Sequence, residues 1–180
     1  QLIPGEVLEA IINGTQELFD ELKVYGVNIR YLGGETADVG DVVRAIAVNG
    51  TMMARWPKNK LITNDKIMPG DVIVGFGSSG RALYEKEYNS GIASNGLTSA
   101  RHDALHKTYG ARFPESYDNS LDESVVYIGP HRLTDEAGGL LTAGSGLSIP
   151  DSRTTIGNLL LSPTRTYAPL MKVLLKEHFD

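Results

Sequence analysis

The sequence predicts a mixed fold, α/β or α+β, in two parts that divide near residues 57–66. Three observations predict it. Residues 4–24 place Leu8, Ile11, Ile12, Leu18 and Leu22 at roughly helical spacing. Residues 27–32, 41–56 and 72–76 are short apolar runs with strand character. Between the second and third runs lies a polar stretch carrying Lys58 and Lys60, which reads as a boundary.

The elements follow in order. Pro4 suits the first turn of a helix and Gly26 ends it. Residues 27–32 alternate apolar and polar, as a half-buried strand does. Residues 41–56 read as one or two strands, with Asn49-Gly50 as a possible hairpin turn. Met68-Pro69-Gly70-Asp71 is a turn, and residues 72–76 read as a buried strand. A helix is expected from about Leu97 to Tyr109. Residues 110–158 are irregular and rich in Gly, Ser, Asp and Pro, with one strand at 125–128. A last helix begins near Tyr167. No internal repeat or heptad pattern appears.

Composition narrows the class. Apolar residues make up 41% of the 180 residues, enough for a core, and formal net charge is -5. No basic run stands out, so nucleic acid is not an expected partner. The absence of cysteine rules out disulfides, thiolate catalysis and cysteine-bound metal within this sequence. It is compatible with a reducing compartment. The apolar stretches are too short to span a bilayer, and no secretory signal pattern is visible. The chain begins with Gln1 rather than Met, so a piece of something longer is expected.

Several constellations can carry chemistry. Gly33-Gly34-Glu35-Thr36-Ala37-Asp38 puts two carboxylates on a sharp turn after a strand. Such a pair suits Mg²⁺, which is held by one or two carboxylates plus substrate phosphates. The plain alternative is a hairpin with solvated acids. Gly77-Ser78-Ser79-Gly80 follows an apolar strand, and its small residues let backbone N–H groups approach an anion. It lacks the Gly-Lys-Ser/Thr ending of a Walker A loop. Ser94-Asn95-Gly96 stands at a helix start, where Ser94 or Asn95 can cap and phosphate is favoured, with Arg101 further in. An ordinary loop and an ordinary cap explain both equally well.

His102 and His106 have zinc-ligand spacing, but no Glu follows His102 and no third ligand is evident, so they read as structural. The glycines of residues 138–146 read as a surface loop. Thr164 or Thr166 can cap the last helix. Arg165 at a helix start is electrostatically unfavourable and calls for a partner, either a carboxylate or a ligand phosphate.

The order of these elements says more than any one of them. Gly-Gly-Glu-Thr-Ala-acid precedes Pro-Gly-Asp-Val-Ile-Val-Gly, then Gly-Ser-Ser-Gly, then Ser-Asn-Gly with an arginine five residues on, then Leu-Ser-Pro-Thr-Arg-Thr-Tyr. This series resembles the aminoimidazole ribonucleotide synthetase (phosphoribosylformylglycinamidine cyclo-ligase) family. The resemblance runs from about Gly14 to the C-terminus, with a variable gap between about Gly110 and Asn158.

The resemblance implies the end of a ferredoxin-like first domain, which binds ATP and forms a homodimer, followed by an α/β second domain. Residues 1–58 correspond to the first and residues 59–180 to the start of the second. It implies a cytoplasmic, Mg²⁺-dependent, ATP-driven ligase of purine biosynthesis that closes an imidazole ring. Gly33, Gly34, Glu35, Thr36 and Asp38 match the ATP loop, with Glu35 and Asp38 as metal ligands and Glu35 catalytic. Gly77, Ser78, Ser79, Gly80, Ser94, Asn95, Gly96, Arg101, Thr164 and Arg165 match substrate-binding positions. The substrate is a small ribonucleotide, and neither nucleic acid nor membrane is implied.

There are departures from the family pattern. Asp38 replaces a glutamate, and Val39-Gly40-Asp41 replaces Met-Pro-Gly. Residues 81–93 form an insertion, with Ala93 where a histidine is usual. The family's Asp-Gly-x-Gly-Thr-Lys and Asn-Asp motifs would precede Gln1, so this chain alone is expected to be inactive. The departures leave a second reading, a non-catalytic or differently specific member of the fold, such as a formylglycinamidine ribonucleotide synthetase-like ATP-binding module.

Overall fold

The structure, a computed structural model, describes residues 3–43, 45–137 and 154–179. Five α-helices run in order along it: α1 (Gly5–Val24), α2 (Ala93–Ala104), α3 (Thr108–Arg112), α4 (Ile156–Leu160) and α5 (Ala168–His178). Single 3₁₀ turns stand at Lys58–Lys60, Pro114–Ser116 and Glu123–Val125.

The first helix matches its expectation. Pro4 precedes it, Glu6 lies in its first turn and Lys23 in its last, as the helix dipole favours. Tyr25 and Gly26 close it, with Gly26 at φ +74. Leu22 is its buried residue.

Among the described residues, the expected strands at 27–32, 41–56 and 72–76 do not form, and Asp41 and Val42 lie in a turn instead. β pairing there is limited to three isolated bridges, Gly80 with Asn89, Leu105 with His131 and Glu136 with Thr155. The run expected to be a buried strand is open to solvent, with Val72 85% and Ile73 100% exposed. A lone strand can bury neither face nor satisfy its backbone groups. At 125–128 the expected strand is instead a 3₁₀ turn leading into buried Val126 and Tyr127, and Tyr127 has φ +50.

The helix expected at 97–109 is shifted and broken. It starts at Ala93 and ends at Ala104, because Leu105 turns extended and buries its side chain. The backbone there pairs with residues 129–131: Gly129 N–H donates to Leu105 O at 3.1 Å, and His106 N–H to His131 O at 2.9 Å. Gly129 permits this approach, since a Cβ there would collide with the Ala104 and Asp103 carbonyls.

The core of the second part joins Leu105, Val126, Tyr127, Ala137, Ile156 and Leu160, with Ile92, Leu97 and Tyr109 packed against it. Buried His102 meets the Tyr127 ring edge-on, centroids 4.7 Å apart, and its Nδ1 accepts from the Tyr127 N–H at 3.3 Å. His106 lies outside α2 and bonds Thr108 locally, so the two histidines share no helix face. α4 opens with a capping box built by Thr155 and Asn158.

Three links tie α1 and the turn that follows it to the second part. Lys86 pairs with Glu21, and Lys172 of α5 bonds the Gly26 carbonyl. Tyr25 and Tyr84 meet edge-on with centroids 5.9 Å apart.

Candidate functional site

Two separate stretches of sequence converge: residues 77–92, made of the serine loop and the inserted turn leading into α2, and residues 159–167 ahead of α5. The Gly80–Asn89 bridge closes the inserted turn, each N–H donating to the other's carbonyl at 2.9 Å. Asn89 is buried. Its amide donates to Pro163 O at 2.9 Å, and its Oδ1 accepts from Gly91 N–H at 2.9 Å. Ser90 joins the same seam, its N–H donating to Ser162 Oγ at 3.1 Å and its hydroxyl to Leu159 O at 2.7 Å.

Gly91 has φ +78, and a Cβ there would stand 3.1 Å from Ser78 Oγ and 3.2 Å from Ser79 N. The serine loop therefore lies directly on this turn, and a glycine makes the approach possible. Ile92 is right-handed helical and Ala93 has φ +56. A right-handed residue followed by a left-handed one turns successive N–H groups to one side, and here two of them are already engaged, Ile92 N–H donating to Ser90 Oγ at 3.2 Å and Ser94 N–H to Thr164 Oγ1 at 3.3 Å. Ala93 adopts this conformation without being glycine, a strain worth about 1–3 kcal/mol that tends to gather at functional sites.

No side chain caps α2 at its own N-cap. Ser94 and Asn95 sit inside the first turn rather than at the cap, and both are exposed. The cap comes from elsewhere: Thr164 Oγ1 accepts from Ser94 N–H at 3.3 Å. Thr166 Oγ1, in turn, accepts from Ala168 N–H at 3.4 Å ahead of α5.

Arg165 is the hub of the site. Its Nε donates to Glu85 Oε1 at 2.8 Å and its Nη2 to Glu85 Oε2 at 2.7 Å, a bidentate pair. Nη2 also reaches Gly80 O at 2.8 Å, and Nη1 reaches Gly77 O at 2.6 Å and Ser79 O at 3.3 Å. A guanidinium has five N–H donors, and these five bonds engage all of them. Only 7% of the Arg165 side chain and 17% of that of Glu85 are exposed. Burial pushes the Glu85 carboxyl up, but hydrogen bonds from Arg165 and the Ala82 N–H outweigh it and hold it below the ordinary glutamate value. The bond to Glu85 raises Arg165 further. Tyr84 OH donates to Thr166 O at 2.8 Å, and Tyr167 OH to Gly77 O at 3.3 Å.

The structure thus brings Gly77, Ser78, Ser79, Gly80, Ser94, Thr164 and Arg165 together. Of the two partners foreseen for Arg165, it shows a carboxylate. Asn95 and Gly96 follow in α2. Arg101 lies further along α2, with its guanidinium 5.8 Å from the Tyr127 ring centroid. Sequence reading missed Glu85, Tyr84, Asn89 and Ser162. The one available signal for Glu85 was the unfavourable cation ahead of α5, which called for an acid without saying which.

The acidic turn stands on the extended part of the chain. Gly33 has φ +100, and Glu35 and Asp38 are exposed. Asp38 Oδ1 accepts from Gly40 N–H at 3.3 Å, and Val39 O accepts from the Val42 and Val43 N–H groups at 2.9 Å. Both carboxylates are hard oxygen donors open to solvent, which fits a Mg²⁺ that keeps waters and phosphate oxygens as its remaining ligands. Among the described residues, no group of three His, Asp or Glu side chains could hold a metal by itself. The glycine-rich stretch 138–146 lies outside the described residues. No described helix is long and apolar enough to cross a membrane.

Comparison with known proteins adds a family. The chain is 34% identical over 132 residues to a phosphoribosylformylglycinamidine cyclo-ligase of Pyrococcus furiosus, covering 71% of this chain and 34% of that protein. It is 42% identical over 107 residues to the Thermoplasma volcanium protein of the same name, covering 56% of this chain and 28% of that one. The Thermoplasma acidophilum protein of that name is 34% identical over 107 residues, again 56% and 28%. The chain spans about a third of the length of the curated relatives it matches. No protein-family model matches it.

Proposed function

We propose an activity from one premise: the chain belongs to the phosphoribosylformylglycinamidine cyclo-ligase family. The protein of which it forms part closes the imidazole ring of aminoimidazole ribonucleotide from formylglycinamidine ribonucleotide, using ATP. The formyl-amide oxygen takes the γ-phosphoryl group, ADP leaves, the amidine-side nitrogen attacks the activated carbon, and phosphate departs. Holding the two reacting ends of the substrate together accounts for a large share of such a rate enhancement.

The observation that carries this reading is the convergence of the 77–80 loop, the start of α2 and the Thr164-Arg165 segment. Their arrangement supports a ribose-phosphate site made of the loop's small residues and the N–H groups at the start of α2, a twelve-residue helix. Asn95 and Gly96 lie in that first turn. Arg101 faces the core aromatics and adds positive potential at longer range.

Glu35 and Asp38 are the side chains that would hold Mg²⁺, with Gly33, Gly34 and Thr36 shaping the turn around the ATP phosphates. The ion supplies charge neutralisation at the transferred phosphoryl group. The wider reading includes a ferredoxin-like first domain, an α/β second domain, a homodimer and a cytoplasmic location. The exposed apolar side chains of residues 72–74 support the sheets it calls for.

The test uses the intact gene product with formylglycinamidine ribonucleotide and Mg-ATP. Stoichiometric ADP, phosphate and aminoimidazole ribonucleotide are expected. No product above background would sink the cyclase reading.

A further inference from the structure

We infer that Glu85, in the insertion between the serine loop and α2, acts through Arg165 as a positioning residue that sets the shape of the substrate's phosphate-binding loop. The inference rests on the proposed function and assigns a role to a residue outside the motifs that define the family resemblance.

Arg165 spends three of its five bonds on loop carbonyls, those of Gly77, Ser79 and Gly80. Drawing these carbonyls to one side turns much of the loop backbone toward the cation. The loop's other flank rests on Gly91, within 3.2 Å of Ser79 N for a Cβ built there. So the loop is held between a cation on one side and a turn on the other.

The cation is itself placed by Glu85. Two of its donors run to the Glu85 carboxylate, and the same carboxylate accepts the Ala82 N–H at 2.8 Å. With the pair largely buried, removing the negative partner leaves a desolvated guanidinium uncompensated. Arg165 would then move toward water, and the three carbonyls would lose their donor together. A lysine could not replace Arg165, since one ammonium cannot reproduce a planar fork that meets one carboxylate and three carbonyls.

The insertion therefore has a defined purpose: it delivers a carboxylate to the arginine of the Pro-Thr-Arg element. Because all five donors are committed, Arg165 orders the loop that binds the substrate and has no donor left for the substrate itself.

The experiment compares intact wild-type protein with Glu85→Gln and Arg165→Lys. Glu85→Gln keeps shape and hydrogen-bonding oxygen while removing charge. We expect faster amide exchange in residues 77–80, a KM for the ribonucleotide raised about tenfold, the scale of one charge-assisted hydrogen bond, and an unchanged KM for ATP. Arg165→Lys should show the same split more strongly. Equilibrium binding of the ribonucleotide, read by calorimetry, should weaken in parallel and needs no turnover.

A drop in thermal stability with loop exchange and ribonucleotide affinity at wild-type levels would overturn the inference. So would equal losses for both substrates. If wild-type protein binds the ribonucleotide but forms no product, the cyclase reading fails, while exchange and binding in the variants still decide the role of Glu85.

Discussion

Arg165 gathers five hydrogen bonds because its surroundings offer only acceptors: a carboxylate and three backbone carbonyls. Glu35 presents the opposite case, an exposed carboxylate that supports nothing in the fold. Glu35→Ala in the intact protein should therefore abolish turnover while leaving circular dichroism and the thermal midpoint unchanged. Activity near wild type would remove the metal role of the acidic turn. His102 makes a pH prediction. Burial, aided by Arg101, lowers its pKa below the ordinary 6.5. Between its folded and ordinary values the unfolded state binds more protons, so its contribution to stability declines as pH falls through that window. Urea midpoints measured against pH should flatten there in His102→Gln relative to wild type. An identical slope in both proteins would contradict this account.

At the scale of elements, α2 shows how tertiary contacts set a helix's limits. Its first turn is capped by Thr164, 70 residues away in sequence, and not by its own polar residues. Thr164→Ala should cost about 1 kcal/mol, the usual loss of an N-cap acceptor. Chemical denaturation of the variant measures it, and no change would mean that water replaces the hydroxyl freely. At the other end, Leu105 leaves the helix because core burial and pairing with residues 129–131 outweigh one more helical bond. Gly129→Ala should destabilise by about 1–3 kcal/mol, the range for overpacking, since the added methyl meets backbone rather than a yielding side chain.

Over the whole molecule, burial is uneven. The cluster around Leu105, Tyr127 and Leu160 is packed, whereas Val72, Ile73 and Met53 are largely exposed. Exposed apolar runs of this extent are uncommon on the surface of a soluble protein. In the isolated 180-residue chain, amides of residues 27–32 and 72–76 should exchange within seconds while those of the core cluster are protected. In the intact protein the same amides should slow markedly. Fast exchange there in both forms would argue against sheet formation by these runs.

Local patterns were enough to place α1, α5 and the turns at Gly26 and Gly70, but not the hairpin expected at Asn49-Gly50, where the structure has no turn. Periodicity, Pro4 and Gly26 act within a few residues, and those interactions survive whatever surrounds them. The order of the motifs was likewise readable, and with it the family resemblance. What only the tertiary structure decided depends on contacts across large sequence separations. The Glu85–Arg165 pair spans 80 residues and the Asn89–Pro163 bond 74; the place of Arg165 ahead of α5 calls for an acid, but nothing local says that Glu85 is the one, and nothing local singles out Asn89. The break at Leu105 belongs to the same class, since the pull toward residues 129–131 is invisible in helical spacing. The acidic turn stands between the two. Its carboxylates and glycines were plain in the sequence, but a metal site needs ligands brought together by the fold, and Glu35 and Asp38 make up only part of one.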